Sequence, residues 1–317
     1  MVSNHTQAHS PIDSPMIFVA GPTGIGKTEL SLTLAETLGC EIVGVDSMQI
    51  YRYMDIGTAK PSNQERGRVP HHLIDYVLPD EEYSVTRFVA DCQSAISKIR
   101  TNGRIPLLVG GTGLYFSALE RGIFSMPDVP GDIRRALKDE LHTLGREYLW
   151  QELKRDDPAT AERIHPNDSY RLLRALEIVR STGVPWSEFI ARHQHQQMPE
   201  EKILKIGLVR ERDELYARID QRVETMVNAG LLGEVETLLS LGYNQGLRPM
   251  QSLGYRHMLK FLSGQWPWGQ SIEMLARDTR RYAKRQLTWF RADQTIEWYH
   301  PECRGEIISR AREFSMK

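Results

Sequence analysis

Residues 16–28 read MIFVAGPTGIGKT. The run MIFVA is short, apolar and followed at once by glycine, so it is expected to be a buried strand. Gly21 to Thr28 then match G-x-x-x-x-G-K-[ST] in full, and Leu30, Leu34 and Leu38 recur on one helical face up to Gly39. Strand, glycine loop and helix together are the setting this phosphate-binding motif requires. Glycines let backbone N–H groups turn inward around phosphate oxygens, and the helix N-terminus adds partial positive charge. The expected cradle is Gly21, Pro22, Thr23, Gly24, Ile25, Gly26, Lys27 and Thr28. Lys27 adds a full charge, and the Thr28 hydroxyl can hold Mg²⁺. Such a loop grips a diphosphate or triphosphate and is silent about the group attached to it.

Outward from this loop the pattern repeats. EIVGV (41–45) and IPLLV (105–109) read as further strands. Between them Ser84 opens a helix with Val85, Phe88, Val89, Cys92, Ile96 and Ile99 at helical spacing, ended by Asn102-Gly103. Strands alternating with helices predict an α/β fold, a P-loop NTPase-like parallel sheet flanked by helices. Helical periodicity alone runs from about Asp132 to Arg192, and strand character returns at ILKIGLV (203–209). Helical stretches follow at 211–228, 231–241 and 270–290, with a late strand at 295–299. The expected organisation is a core of 16–121 and 203–317, ending in basic helices, with an all-helical insertion domain at 122–202. Residues 1–15 hold no Lys, no Arg and no apolar run, so they are expected to be a disordered tail without a secretion or transit signal.

Composition narrows the function classes. Forty Lys and Arg against 41 Asp and Glu give a net charge of −1, which excludes a uniformly basic nucleic-acid coat but not a local patch. The three cysteines have no close partner, which suits a reducing cytoplasm and excludes a disulfide scaffold. No apolar run approaches the roughly 18–20 residues of a membrane span.

Beyond the loop, Asp46 follows EIVGV directly. Ligands of open parallel sheets bind beyond the carboxyl ends of strands, so Asp46 is expected to face the loop. It is a candidate general base or Mg²⁺ ligand, or else a cap on the next turn. Ser47, Met48 and Gln49 are neighbours in that cleft. Gly110-Gly111-Thr112-Gly113 ends another strand, and Thr112 offers a hydroxyl there. No Asp closes IPLLV, although phosphate-loop NTPases commonly carry one there to organise Mg²⁺. Arg277–Arg291 holds six basic residues against one acid, interleaved with Tyr282, Trp289 and Phe290, a pattern that suits a nucleic-acid backbone or a solvated helix face. Arg171 and Arg174 beside Asp168 and Glu177, and Arg218 with Arg222, are weaker basic groups. The ten histidines show no metal-ligand spacing and are expected to be structural.

These residues are assembled as in a known family. GPTGIGKT, VDSMQIYRYMDIGTAKP (45–61), HHLID (71–75), LLVGGTGLYF (107–116), RIHPNDSYRLLRALEI (163–178), RIDQR (218–222), GYR (254–256) and RRYAKRQLTWFR (280–291) occur in the family's order. The sequence resembles bacterial tRNA dimethylallyltransferases, also called tRNA isopentenyltransferases. The resemblance implies transfer of a dimethylallyl group from dimethylallyl diphosphate to N6 of adenosine-37 of tRNA, with Mg²⁺ required. It implies Asp46 as the base, with Lys27, Arg222, Thr23 and Thr112 at the reacting groups. The matching tRNA-contacting positions are Asp46, Ser47, Met48, Gln49, Thr112, Arg134, Tyr170, Arg171, Arg174, Gln251, Gly254, Tyr255 and Arg256. Arg280, Arg281, Lys284 and Arg285 join them on the basic helix. In the family the adenosine is flipped into a channel between core and insertion. Tyr170 stands where the family usually has Gln, which exchanges a two-point hydrogen bonder for a ring and one hydroxyl.

Three rival readings share the loop. An adenylate dimethylallyltransferase acting on free nucleotides would need neither the insertion nor the basic helix. A small-molecule kinase would transfer phosphate and ignore tRNA. A non-catalytic tRNA-binding protein would not need Lys27, Thr28 and Asp46 intact. The expected protein is cytoplasmic and monomeric.

Overall fold

The structure is a computed structural model that describes the backbone at 15–122, 129–194 and 202–316, and side chains at the same positions except 192–194. The expected N-terminal tail, apart from Pro15, and His195 lie outside the described residues, as does the side chain of His193. The described residues form two compact units, one within Met1–Leu119 and Pro199–Lys317, the other within Glu120–Met198.

The first unit is built on six strands: β1 (Met16–Ala20), β2 (Cys40–Val45), β3 (His71–His72), β4 (Ile105–Gly110), β5 (Ile203–Leu208) and β6 (Glu297–Tyr299). Their order is β3-β2-β4-β1-β5-β6, and every pairing is parallel. All residues of β1 and β2 are buried, as befits strands covered on both faces. Helices α1 (Lys27–Leu38), α2 (Asn63–Arg68), α3 (Val85–Thr101) and α4 (Gly113–Arg121) connect the first strands. Ser84 caps α3 by accepting the Arg87 N–H, and the predicted apolar stripe faces inward at Phe88, Cys92, Ile96 and Ile99.

The second unit is helical, with α5 (Gly131–Thr143), α6 (Gly145–Asp156), α7 (Pro158–Arg163), α8 (Ser169–Thr182) and α9 (Trp186–Gln194). It has its own core, centred on Leu137, Leu149, Trp150, Leu153, Leu172 and Leu176. Arg180 ties two of its helices by pairing with Glu140 at 2.7 Å and Glu152 at 2.8 Å.

After β5 the first unit resumes with α10 (Arg212–Asn228), α11 (Leu231–Ser240), α12 (Tyr255–Leu262), α13 (Trp268–Arg291) and α14 (Arg304–Met316). The sequence reading missed α2, α12 and α14, which are short or weakly amphipathic, and the two-residue β3. The sheet's two faces carry separate cores. One gathers Phe18, Val43, Phe88, Leu108 and Phe290, and the other gathers Ile17, Val19, Leu32, Ile42 and Ile206. Successive strand residues point to opposite faces, so β1 feeds both cores alternately.

Candidate active site

A cleft of about 600 Å³ opens at the carboxyl ends of β1, β2 and β4. Its walls include Thr23 to Thr28, Asp46 to Gln49, Arg222, Arg256 and, from α13, Tyr282, Arg285 and Gln286. All belong to the first unit.

The phosphate loop owes its shape to its carbonyls as much as to its glycines. Gly24 and Gly26 hold positive φ of 79° and 108°, which side chains strain to adopt. Lys27 Nζ donates to the carbonyls of Gly21 (2.9 Å) and Pro22 (2.8 Å). Arg218 Nε donates to Gly24 O at 3.1 Å, and Arg210 Nε to Ile25 O at 3.3 Å. In a trans peptide the N–H points opposite the C=O, so fixing the Gly24 and Ile25 carbonyls turns the amides of Ile25 and Gly26 the other way. Gly26, the N-cap of α1, has no side chain to satisfy the first-turn amides. The loop is therefore a set of donors held ready for an anion. Pro22 and Ile25 are buried and contribute backbone alone.

Three charges meet in the cleft. Burial and the nearby Arg222 guanidinium lower the Lys27 pKa to about 7, while Asp46 works against that shift. Burial likewise lowers the Arg222 pKa, partly offset by Asp46. The two cations outnumber the one carboxylate, so the cleft is electrostatically suited to an anion. Asp46 Oδ1 accepts the N–H groups of Met48 (2.9 Å) and Gln49 (3.4 Å). Among the described residues no donor meets Oδ2. The capping and catalytic readings of Asp46 thus fall to different oxygens of one carboxylate.

The glycine turn after β4 is set by close packing. A Cβ at Gly110 would lie 2.0 Å from Val45 O, at Gly111 2.2 Å from Gln286 Nε2, and at Gly113 2.1 Å from the Trp289 ring. Thr112 Oγ1 accepts the Ser47 N–H at 3.3 Å. Burial pushes the Tyr282 phenol above its ordinary pKa. Tyr282 and Gln286 were not singled out as site residues from the sequence. The signal was there in their spacing, one helical turn apart on α13.

The remaining candidates divide. Gln49 Nε2 donates to the carbonyls of Thr58 and Ala59, both at 3.2 Å, which fixes its carboxamide at the cleft wall. Met48 packs against the core. Gln251 is exposed, and its amide donates to Gln245 O at 2.6 Å. Gly254 takes φ 89° just before α12. Tyr255 corrects the expectation: its side chain is fully buried and its hydroxyl donates to Glu234 at 2.6 Å, so it cannot touch a tRNA. Arg256 is paired with Asp278 at 2.7 Å. On α13, Arg280 is paired with Asp220, while Arg281, Lys284 and Arg285 are exposed. Arg285 also lies over the Tyr282 ring, 5.7 Å from its centre. Of the arginine pair on α10, Arg218 serves the loop carbonyl and Arg222 faces the cleft.

In the second unit Arg171 pairs with Asp168 at 2.6 Å, and Arg174 pairs with Glu177 at 2.7 Å. Arg134 also approaches Glu177, at 3.8 Å. Tyr170 stands 80% exposed beside them.

The histidines with described side chains show various partners. His72 bonds Glu41 at 2.7 Å, and His257 is buried with its pKa lowered to about 4 by that burial. Among the described residues Glu214, His300 and Glu302 lie close enough to share an ion, but Arg210 already pairs with both glutamates.

Comparison with known proteins follows the same lines. The IPP transferase family model matches residues 49–293, and an isopentenyl transferase model matches 15–74. A tRNA dimethylallyltransferase of Desulfotalea psychrophila is 51% identical, over 94% of this chain and 95% of that protein. One from Syntrophobacter fumaroxidans is 49% identical, over 94% and 87%. The crystal structure of a tRNA isopentenylpyrophosphate transferase from Bacillus halodurans superposes with a TM-score of 0.71 at 38% identity, covering 96% of this chain and 97% of that one. A eukaryotic dimethylallyltransferase acting on tRNA gives 0.73 at 31% identity, over 91% and 74%. With that match over most of its length, this chain belongs to the IPP transferase family.

Proposed function

We propose that the chain transfers a dimethylallyl group from dimethylallyl diphosphate to N6 of adenosine-37 of tRNA and releases diphosphate. The observation that carries this reading is the sharing of one cleft by a complete phosphate loop and a carboxylate with a free oxygen. The exocyclic amine of adenine is a weak nucleophile, because its lone pair is delocalised into the ring. Asp46 Oδ2 takes the amine proton as nitrogen bonds to the allylic carbon. The carbon–oxygen bond to diphosphate breaks, and its electron pair leaves with the diphosphate. The loop amides, Lys27 and Arg222 meet the negative charge that develops there. Thr23 and Thr112 border the reacting groups. Thr28 lines the cleft and offers a hydroxyl oxygen, which suits a hard cation. Mg²⁺ held there with the diphosphate oxygens would supply further charge neutralisation.

A stacked adenosine cannot reach such a cleft, so it leaves its stack to react. Arg281, Lys284 and Arg285 on the exposed face of α13 meet the tRNA backbone, together with Gln49, Gln251 and Arg256 around the cleft. The second unit acts as a tRNA-contacting insertion through Tyr170, Arg171, Arg174 and Arg134. Among the described residues no helix is long and apolar enough to cross a membrane, and the reading places the enzyme in the cytoplasm as a monomer.

The test offers protein, Mg²⁺ and dimethylallyl diphosphate to unmodified tRNA in one reaction and to AMP or ATP in another. Mass analysis of the nucleosides should find the added prenyl mass on the tRNA alone. Product on the free nucleotide would point to an adenylate dimethylallyltransferase, and phosphate transfer from ATP to a kinase.

A further inference from the structure

The face of α13 turned into the molecule carries a polar residue with both ends engaged. Gln286 is 6% exposed, deep between the phosphate loop and the turn after β4. Its Oε1 accepts the N–H of Thr23 at 2.9 Å, and its Nε2 donates to Gly111 O at 2.8 Å. These partners follow β1 and β4, which are neighbours in the sheet. Gly111 has no room for a side chain because Gln286 occupies that space. From Gly111 the chain of contacts continues. The Thr112 N–H donates to Val45 O at 3.3 Å and the Thr112 hydroxyl accepts the Ser47 N–H at 3.3 Å, so this turn holds the residues on either side of Asp46.

We infer that Gln286 is a positioning residue that fixes the separation between the leaving-group cradle and the Asp46 carboxylate. The inference rests on the transfer reaction proposed above. Neighbouring strand ends alone leave the two loops free to shift against each other, because loops lack the ladder of hydrogen bonds that registers strands. A buried carboxamide is suited to the task, since it is planar, uncharged, and donates and accepts at fixed spacing. Both ends of the Gln286 carboxamide are spent on the protein's own backbone, which leaves neither for a substrate. Its effect therefore belongs in the chemical step and not in substrate affinity. A misplacement on the order of 1 Å can cost about a hundredfold in rate.

The test compares Gln286→Met, which keeps the bulk and loses both bonds, with Gln286→Glu, which keeps an acceptor for Thr23 and loses the donor to Gly111. Prenyl transfer to tRNA, KM for dimethylallyl diphosphate, tRNA affinity and melting temperature are measured for each and for the unaltered protein. The expected result is a kcat about 10- to 100-fold lower for Gln286→Met, with KM and tRNA affinity within about threefold. Gln286→Glu, which turns an oxygen toward the Gly111 carbonyl and so lowers the melting temperature, should lose kcat as well and show a raised KM because its charge opposes the diphosphate. Unchanged kcat in both variants, or a loss confined to KM in Gln286→Met, overturns the positioning role. If Gln286→Met fails to fold, a normal kcat in Gln286→Glu overturns it equally. Absence of prenyl transfer by the unaltered protein would instead sink the proposed reaction.

Discussion

Two glycine-bearing loops of the first unit, 21–28 and 55–60, use backbone amides in opposite ways. In the phosphate loop the carbonyls are held by Lys27, Arg218 and Arg210, and amides are left for an anion that arrives from outside. In Asp55–Lys60 the anion is already part of the chain. Glu234 of α11 accepts the N–H groups of Asp55 (2.9 Å), Ile56 (2.7 Å) and Gly57 (3.0 Å), together with the Tyr255 hydroxyl. Lys60, nearly fully buried, seals the other side through Asp75 at 2.8 Å and Tyr51 O at 2.7 Å. The loop then presents its Thr58 and Ala59 carbonyls to Gln49. The second segment is the more distinctive in sequence, yet it is the first that keeps its amides open while the second is a brace. What separates them is whether a carboxylate from elsewhere in the fold has filled the amide nest.

That contrast can be broken by mutation. The largest effect is expected at the proposed base: Asp46→Ala should lower kcat by about 10²–10⁴-fold with little change in tRNA affinity. Rapid-quench prenyl transfer and filter binding measure the two, and near-normal turnover would remove Asp46 as the base. Next comes the filled nest. Glu234→Ala strands three amides and a hydroxyl and should cost about 2–4 kcal/mol in urea unfolding. A loss below about 0.5 kcal/mol would show that water replaces the carboxylate without penalty.

The exposed face of α13 should give a smaller change. Neutralising Arg281 and Lys284 together is expected to weaken tRNA binding about tenfold and to flatten its salt dependence by roughly one unit of slope for each phosphate no longer neutralised. An unchanged slope would move the RNA backbone elsewhere. The phosphate loop also predicts a proton. An unfolded lysine stays protonated up to about 10.5, whereas folded Lys27 gives up its proton near 7. Between those values the unfolded chain binds more protons, so stability without ligand should rise with pH across that window. Diphosphate restores the charged form, so at pH 8 the protein should take up about one more proton on binding than Lys27→Met does. Calorimetry in buffers of different ionisation enthalpy reads the difference, and equal uptake by both would rule out Lys27 as the group. The smallest effect is Tyr255→Phe, which should cost about 1 kcal/mol and leave the KM for tRNA unchanged. A raised KM would return Tyr255 to the RNA surface.

The sequence alone determined the alternation of strands and helices, the phosphate loop and the place of Asp46 at a strand end. These follow from local periodicity and from backbone freedom at a few glycines, so neighbours within about one helical turn suffice. Only the tertiary structure decided what the distant partners do. Charge count left α13 open between a nucleic-acid helix and a solvated face, whereas folding splits it into an exposed basic face and a side that carries Tyr282 and Gln286 into the cleft. Resemblance made Tyr255 an RNA contact, whereas burial makes it part of the brace. Arg218 and Arg222 look equivalent four residues apart, yet one holds a loop carbonyl and the other faces the cleft. Each of these outcomes depends on partners far away in the chain, such as Gln286 with Thr23 or Glu234 with Gly57. A polar group's role is fixed by which partner removes it from water, and the fold chooses that partner.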